Sequence, residues 1–143
     1  MCVKQVSVIL ENVPGAFLSV GECLARENIN IRAISVADTS QTSTVRFVTD
    51  NPQKTLSVLK SNGYNTLEND VIAVEIPDHP GALRAVLKPL KELDINVLYF
   101  YTYLGRGESG QPIVIIGVDR TEEAVEALKK NWVHTFGNEI YSL

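Results

Sequence analysis

Apolar and polar residues alternate along two short runs of the chain, residues 6–10 and residues 72–76. Alternation with a period of two predicts a β-strand that buries one face. After the first run, apolar residues recur at helical spacing in Phe17, Val20 and Leu24, and the second run is followed by the matching series Leu83, Val86 and Leu90. The pattern therefore predicts a strand followed by an amphipathic helix, twice.

The rest of each half predicts two more strands, a second helix and a final short strand. In the first half the strands are residues 31–37 and 44–49, and Asn51 ahead of Pro52 predicts a capped second helix. Asn62-Gly63 predicts the end of that helix, and residues 64–67 predict the fourth strand. The second half repeats this order at a shift of 66 positions, from Pro14 to Pro80. The shift becomes 69, from Asp50 to Asp119, beyond the inserted residues of segment 105–110.

This pattern indicates an internal duplication of about 70 residues, in which each copy reads β-α-β-β-α-β. Such an order is ferredoxin-like and predicts an α+β fold, in which each copy forms a four-stranded antiparallel sheet with two helices on one face. The short polar stretch Glu68-Asn69-Asp70 predicts domains at 1–69 and 70–143. Because the connection is short and the apolar faces match, we expect the domains side by side, in one sheet of roughly eight strands.

The turn between the first strand and the first helix carries the same short motif in both copies. Asn12-Val13-Pro14-Gly15-Ala16 in the first copy corresponds to Asp78-His79-Pro80-Gly81-Ala82 in the second. Proline suits the first helical position, glycine leaves room for a ligand, and the free amides of a helix start attract anions. An isolated Pro-Gly pair would be read as a plain helix start. Its repetition favours a small-anion site.

Composition argues against several other classes of protein. The net charge of −4 and the absence of basic clusters disfavour nucleic acid as the main partner. Residues 1–5 lack the charge pattern of a signal peptide, and no run is apolar enough to predict a membrane span. Cys2 and Cys23 are too few for a disulfide framework. We therefore expect a cytoplasmic protein.

The motif and its surroundings resemble the ACT domain. The resemblance rests on Asp78-His79-Pro80-Gly81-Ala82-Leu83 after a strand, with Asp94-Ile95-Asn96-Val97 opening the next strand. The first copy departs from it by having Asn12 where the family pattern has aspartate. Two copies over nearly the whole chain look like the stand-alone tandem ACT-domain proteins. The resemblance implies a regulatory protein that binds small ligands, mostly amino acids, where the strand-to-helix loop of one domain meets the second-strand start of its neighbour.

An amino acid offers two charged groups to such a site. Its carboxylate needs amide donors at the helix starts, and its ammonium needs acceptors such as Asp78, Asn12 or loop carbonyl groups. We expect the loop of the second copy to face residues 28–31 and the loop of the first copy to face residues 94–97. The predicted ligand-binding residues are Asn12, Val13, Pro14, Gly15, Ala16, Phe17, Asn28, Ile29, Asn30, Ile31, Asp78, His79, Pro80, Gly81, Ala82, Leu83, Asp94, Ile95, Asn96 and Val97.

Several of these residues also have a purely structural interpretation. Asn30 and Asn96 could serve only to turn the chain, since asparagine favours turns. Asp78 could serve as a helix N-cap. His79 could contact a ligand or be exposed without a partner. With only two histidines in the chain, a metal site is disfavoured, and the sequence predicts no cofactor.

Two other features of the second half need an interpretation. Residues 105–110 spell G-x-G-x-x-G, but the segment lies between two predicted strands, so we interpret it as a hairpin loop rather than a dinucleotide site. Tyr99, Tyr101 and Tyr103 alternate along one strand, and Phe100 is expected to face the helices. The tyrosines are then expected on the open face of the sheet, as a contact surface for another copy or a partner.

The sequence contains no catalytic constellation, so we do not expect an enzyme. Our leading hypothesis is an amino-acid-binding regulatory or sensor protein, a homodimer or higher oligomer that could act through a metabolic enzyme. The alternative is a ligand-free interaction module that pairs with such an enzyme, and a small ferredoxin-like enzyme is a third hypothesis.

Overall fold

The computed structural model of the chain describes residues 2–143 and has an α+β fold, as predicted. Within the described residues it contains four α-helices, seven β-strands and one short 3-10 helix at the C-terminus. In chain order these are β1 Val3–Glu11, α1 Ala16–Arg26, β2 Ile31–Asp38, β3 Thr42–Thr49, α2 Pro52–Ser61, β4 Asn65–Glu75, α3 Ala82–Glu92, β5 Val97–Thr102, β6 Ile113–Val118, α4 Thr121–Lys130, β7 Thr135–Phe136 and the 3-10 helix Asn138–Ser142. None of the described helices is both long and apolar enough to span a membrane.

The described chain divides into two compact units: residues 4–69 form one, and residues 70–143 together with Cys2 and Val3 form the other. In the unit 4–69, β3 lies between β1 and β2, and both pairings are antiparallel. Val8 pairs with Val45, which in turn pairs with Val36, so these side chains share one face of the sheet. That face packs against α1 and α2 in a core formed by Val6, Val8, Leu10, Val20, Cys23, Leu24, Ile29, Val45, Phe47 and Leu59.

The unit 70–143 has the strand order β7-β4-β6-β5, which is the ferredoxin-like arrangement. Its core holds alternate residues of β4 and β6 together with the buried faces of α3 and α4. The members of this core are Ile72, Val74, Ile76, Ala82, Val86, Leu90, Ile95, Val114, Ile116, Val118, Ala124, Val125 and Leu128. The alternation seen in the sequence therefore marks the buried face correctly in both units.

The connection between the repeats is a strand rather than a linker. Residues 64–67 were predicted as one strand and residues 72–76 as another, with a boundary at Glu68-Asn69-Asp70. In the structure the three boundary residues lie inside β4, which runs without a break from Asn65 to Glu75. This continuity reduces the count from about eight strands to seven. A polar stretch need not be a loop, since an extended backbone can be hydrogen-bonded while its side chains remain exposed.

The duplication extends to individual hydrogen bonds. The backbone amide of Asn30 donates to the carboxylate of Asp50 (3.0 Å), and the amide of Asn96 donates to that of Asp119 (3.1 Å). The end of the first helix in each unit is also held by a cation from the start of the second helix. Lys54 donates to the carbonyl group of Glu27, and Arg120 donates to that of Leu93. A cation at a helix C-terminus is stabilising, because that end carries partial negative charge.

The tyrosines of β5 are less exposed than predicted. Tyr101 is 8% exposed and Tyr103 is 6% exposed. The hydroxyl group of Tyr103 donates to the carbonyl oxygens of Ile140 (3.1 Å) and Leu143 (3.3 Å), so the C-terminal segment covers it. Tyr101 and Tyr103 are therefore too buried to form the expected open contact surface, whereas Tyr99 is half-buried. The sequence pattern could not reveal that the last residues of the same chain return to this face.

Phe100 lies on the predicted face of the sheet. It pairs with the core residue Ile116 across β5 and β6, so its side chain is on the side of the helices. It is nevertheless 49% exposed, because β5 is an edge strand. Leu98 and Leu104 are also exposed along this edge, at 56% and 67%. The exposed apolar residues of this part of the sheet thus lie on β5 and directly after it, at Leu98, Phe100 and Leu104, rather than at Tyr101 and Tyr103.

Candidate functional site

Both strand-to-helix turns place a glycine in the left-handed region immediately before the helix. Gly15 has φ 85° and ψ −7°, and Gly81 has φ 84° and ψ −4°. These glycines are the N-caps of α1 and α3, so two sequence-based interpretations are wrong. Pro14 and Pro80 precede the helices instead of opening them, and Asp78 is not an N-cap. The glycine is required because side chains other than Asn or Asp rarely tolerate a positive φ.

The first turns of α1 and α3 have no side-chain compensation for their free amides, although the first amide of each helix, from Ala16 or Ala82, donates to the carbonyl group of Val13 or His79 (3.3 Å each). Within the described chain, neither helix start has a side-chain cap or an acidic residue in its first turn. The other two helices differ: the side chain of Asn51 accepts from the amide of Lys54 (3.1 Å), and α4 has Glu122 and Glu123 in its first turn. The partial positive charge of a helix start is therefore left for a ligand only at the two repeated motifs.

The two loops differ in the side chains that surround these amides. In the first loop, the side-chain amide of Asn12 donates to the carbonyl group of Thr39 (3.3 Å). In the second loop, the carboxylate of Asp78 is exposed, and the backbone amide of Asp78 donates to the side chain of Gln111 (3.4 Å). His79 makes a hydrogen bond from its Nδ1 to the carbonyl group of Pro80 (2.9 Å). The second loop thus carries a full negative charge at Asp78, and the first loop carries a neutral side-chain amide at Asn12.

The strand starts form a second group of predicted site residues. Asn28 and Asp94 both have φ 56°, directly after α1 and α3. Ile29 and Ile95 are core residues, 8% and 5% exposed, so their side chains hold the turn in place instead of pointing to a ligand. In the second unit a surface cavity of about 460 Å³ is lined by Asp94, Ile95, Asn96 and Val97 together with Leu87, Leu90 and Lys91.

Most of the predicted ligand-binding residues are accessible. The exposed ones are Asn12, Val13, Pro14, Gly15, Phe17, Asn28, Asn30, Asp78, His79, Pro80, Gly81, Asp94 and Asn96. Ala16, Ile31, Leu83 and Val97 are half-buried, and Ile29, Ala82 and Ile95 are buried. Within one unit the loop and the strand start lie at opposite ends of α3, whose 11 residues span roughly 16 Å at about 1.5 Å each. A single amino acid therefore cannot contact both segments of the same unit.

A polar cluster beside the second loop was missed by the sequence analysis. The carboxylate of Glu75 lies 3.1 Å from Nδ1 of His134 and accepts from the hydroxyl group of Ser109. The imidazole of His134 stacks on the ring of Phe136, with centroids 4.5 Å apart. A comparison of the repeats could have found this cluster, because the first copy has Ile9 at the position of Glu75 and Asn65 at the position of His134.

The loop 105–110 connects β5 to β6, as predicted, and no helix follows it, so it lacks the context of a dinucleotide site. Arg106 donates to the carbonyl group of Gly110 (2.7 Å), which closes the loop on itself.

Comparison with known proteins agrees with the duplicated fold. A sequence model described as an ACT domain pair matches residues 1–140. This chain therefore belongs to the ACT domain family, as a protein with a pair of such domains. No protein of curated function matched the chain.

Solved structures with similar folds include one at considerable sequence identity. Protein BT0572 from Bacteroides thetaiotaomicron is 30% identical, with a TM-score of 0.91, over 100% of this chain and 98% of that one. The regulatory subunit of aspartate kinase from Thermus thermophilus, in its ligand-free form, is 16% identical with a TM-score of 0.64, over 90% of this chain and 92% of that one. The corresponding subunit from Thermus flavus is 18% identical, with a TM-score of 0.61, over 90% and 92%. The two subunits support the fold.

Proposed function

We propose that this protein is an amino-acid sensor, in which each repeat, 1–69 and 70–143, is one ACT domain. The observation that carries the proposal is the pair of uncapped helix starts at Gly15 and Gly81, in a chain whose other helix starts are capped or acidic. Membership of the ACT family and the likeness of the fold to regulatory subunits of aspartate kinase support a regulatory role.

In the proposed complex the amides of a helix start bind the carboxylate of the amino acid. The ammonium group lies near Asp78 in the second loop, or near the side chain of Asn12 in the first. The strand start of a neighbouring domain, residues 28–31 or 94–97, completes each site. The cavity of about 460 Å³ at Asp94–Val97 supports this second half of the site, because it offers space beside exposed polar groups.

The protein would then regulate without catalysing, by changing its affinity for a metabolic enzyme in the cytoplasm. We propose that it assembles as a homodimer or higher oligomer. The contact surface we propose is the edge strand β5, with exposed Leu98 and Phe100, together with the exposed Leu104 that follows it. The same surface supports the alternative function, a ligand-free assembly module, since exposed apolar residues on an edge strand favour pairing with another chain.

A thermal-shift screen with the twenty amino acids tests the proposal. A ligand that binds only the native state raises its stability by about 2.7 kcal/mol at a concentration a hundred times Kd. We expect a clear rise in Tm with one amino acid or a few related ones, and an unchanged Tm with the others. An unchanged Tm across all twenty would contradict the sensor and favour the assembly module. Sedimentation of wild type and Phe100→Lys tests self-association, with dissociation expected in the variant.

A further inference from the structure

A surface cavity of about 300 Å³ opens beside the second loop, on the side of α3 that faces the chain after α4. Pro77 and Ala82 line it at the loop, Ala85 and Val86 line it along α3, and Val133 lines it from the opposite side. Its volume is at the lower end of the range for small-molecule pockets, roughly 300–1,000 Å³. The cavity therefore suits a small and mainly apolar group.

The polar rim of the cavity has little charge to offer a ligand. Glu75 is the carboxylate of this rim, and it is already engaged by His134 at 3.1 Å and by the hydroxyl group of Ser109. A basic side chain would have to displace these partners. An acidic side chain would be repelled by the same carboxylate. The cavity thus disfavours ligand side chains of either charge.

Trp132 stands at the mouth of the same cavity in an unusual conformation. It has φ 63°, which is strained for a bulky side chain, and it is 95% exposed. The equivalent residue of the first copy is Gly63, with φ 82°, which adopts this backbone without strain. The left-handed residue ends α4, where the amide of Val133 donates to the carbonyl group of Leu128 (3.0 Å), and strained residues are concentrated at functional sites. An exposed tryptophan beside an apolar cavity is placed to cover an apolar ligand.

We propose that this cavity receives the side chain of the amino acid whose carboxylate is bound at Gly81, and that Trp132 closes over it. The ligand of the second copy is then an amino acid with an apolar side chain, branched or aromatic. This inference rests on the proposed sensor function and adds the class of ligand. The first copy lacks the tryptophan and has Tyr64 in place of Val133, so the preference belongs to the second copy alone.

Two substitutions at equivalent positions of the repeats test the inference. Ala85→Leu places a larger side chain on the wall of the cavity, whereas Ser19→Leu places the same side chain at the matching position of α1. We expect Ala85→Leu to weaken the binding of L-leucine or L-phenylalanine by about tenfold or more, since one misplaced methylene group in an apolar pocket changes affinity by roughly 10–200-fold. Ser19→Leu should leave that affinity within about twofold. Thermal unfolding of both variants establishes that each is folded.

Trp132 is the single tryptophan of the chain and serves as a reporter. In titrations of the full chain with L-leucine, L-phenylalanine, L-aspartate and L-lysine, we expect tryptophan fluorescence to change only with the first two. Trp132→Gly should weaken their binding in calorimetry without lowering Tm, because glycine is the residue that the first copy uses here.

The outcomes separate this inference from the proposed function. If an amino acid binds in calorimetry but leaves the fluorescence unchanged, and Ala85→Leu binds it as the wild type does, the side-chain site is wrong and the sensor stands. Preferred binding of L-aspartate or L-lysine would also overturn the apolar preference. If none of the twenty amino acids binds, both fall, and Trp132 is left as a contact for a partner protein.

Discussion

The left-handed glycines at the two helix starts allow a quantitative test of why glycine occupies them. Gly81 has φ 84°, and a Cβ atom added there would meet no other atom within 4 Å. The cost of Gly81→Ala is therefore purely conformational, about 1–2 kcal/mol for an alanine in the left-handed region. Gly15 has the same geometry, with φ 85° and the same open surroundings, so Gly15→Ala should have a similar cost.

Gly21 supplies the matched control. It lies inside α1, has no positive φ, and would also accept a Cβ atom with nothing within 4 Å. Gly21→Ala should stabilise the protein by about 0.5–1 kcal/mol, because alanine loses less conformational freedom in a helix. The same chemical change thus has opposite signs at two positions, separated by about 1.5–3 kcal/mol in the free energy of unfolding.

Urea unfolding of the three variants measures this difference from the midpoints, provided that the m-values stay equal. The reasoning is refuted if Gly81→Ala is as stable as the wild type, or if Gly21→Ala is destabilised as much as Gly81→Ala. A second comparison is Gly81→Asn, which should lose less stability than Gly81→Ala because asparagine tolerates the left-handed region.

Three further predictions concern single side chains. Asp78→Asn should weaken binding of the amino acid by about 1.5–3 kcal/mol, the range for hydrogen bonds to charged groups, whereas Asn12→Ala should have a smaller effect; calorimetry that gives the reverse order would place the tighter site in the first loop. Asn51→Ala removes the hydrogen bond to the amide of Lys54 and should reduce the free energy of unfolding in urea by about 1 kcal/mol, and an unchanged value would mean that this cap is not stabilising. The amide of Gly137 donates to Glu139 and holds the pKa of that carboxyl below its ordinary value of 4.5. A carboxyl group whose pKa is lowered in the folded state stabilises the fold at pH values above its unfolded pKa, and this stabilisation is lost as the pH falls through the folded pKa. The wild type should therefore be more stable than Glu139→Gln near neutral pH and equally stable in acid. A difference in stability that persists in acid would contradict this cause.

The repeated pattern predicted the framework of the fold because burial and turn chemistry are local properties of a sequence. Alternation marked the core faces of β1 and β4, and Asn51-Pro52 marked the capped start of α2. Segment 105–110 was correctly interpreted as a hairpin loop, because a glycine-rich segment between two strands lacks the following helix that a dinucleotide site requires.

Other features depend on contacts that are distant in the chain. The burial of Tyr103 comes from a C-terminal segment whose own pattern does not indicate where it packs. The cluster of Glu75, Ser109 and His134 joins three separate segments, so a motif of fixed spacing could not find it, and only the comparison of the repeats at Glu75 and His134 could have pointed to it. The positive φ of Trp132 could be predicted only by aligning it with Gly63, because a glycine at the equivalent position of the first copy indicates a left-handed backbone.

If the uncapped helix starts bind the carboxylate of an amino acid, as we propose, removal of that carboxylate should weaken binding. The most direct measurement is calorimetry of the wild-type chain with the amino acid that raises Tm most, beside the same amino acid with its carboxylate converted to a carboxamide. The carboxamide retains the side chain and the ammonium group but loses the anion. We expect the carboxamide to bind more weakly by about 1.5–3 kcal/mol, or about ten- to a hundredfold in Kd. Equal affinities for the two compounds would mean that the helix-start amides have no part in recognition.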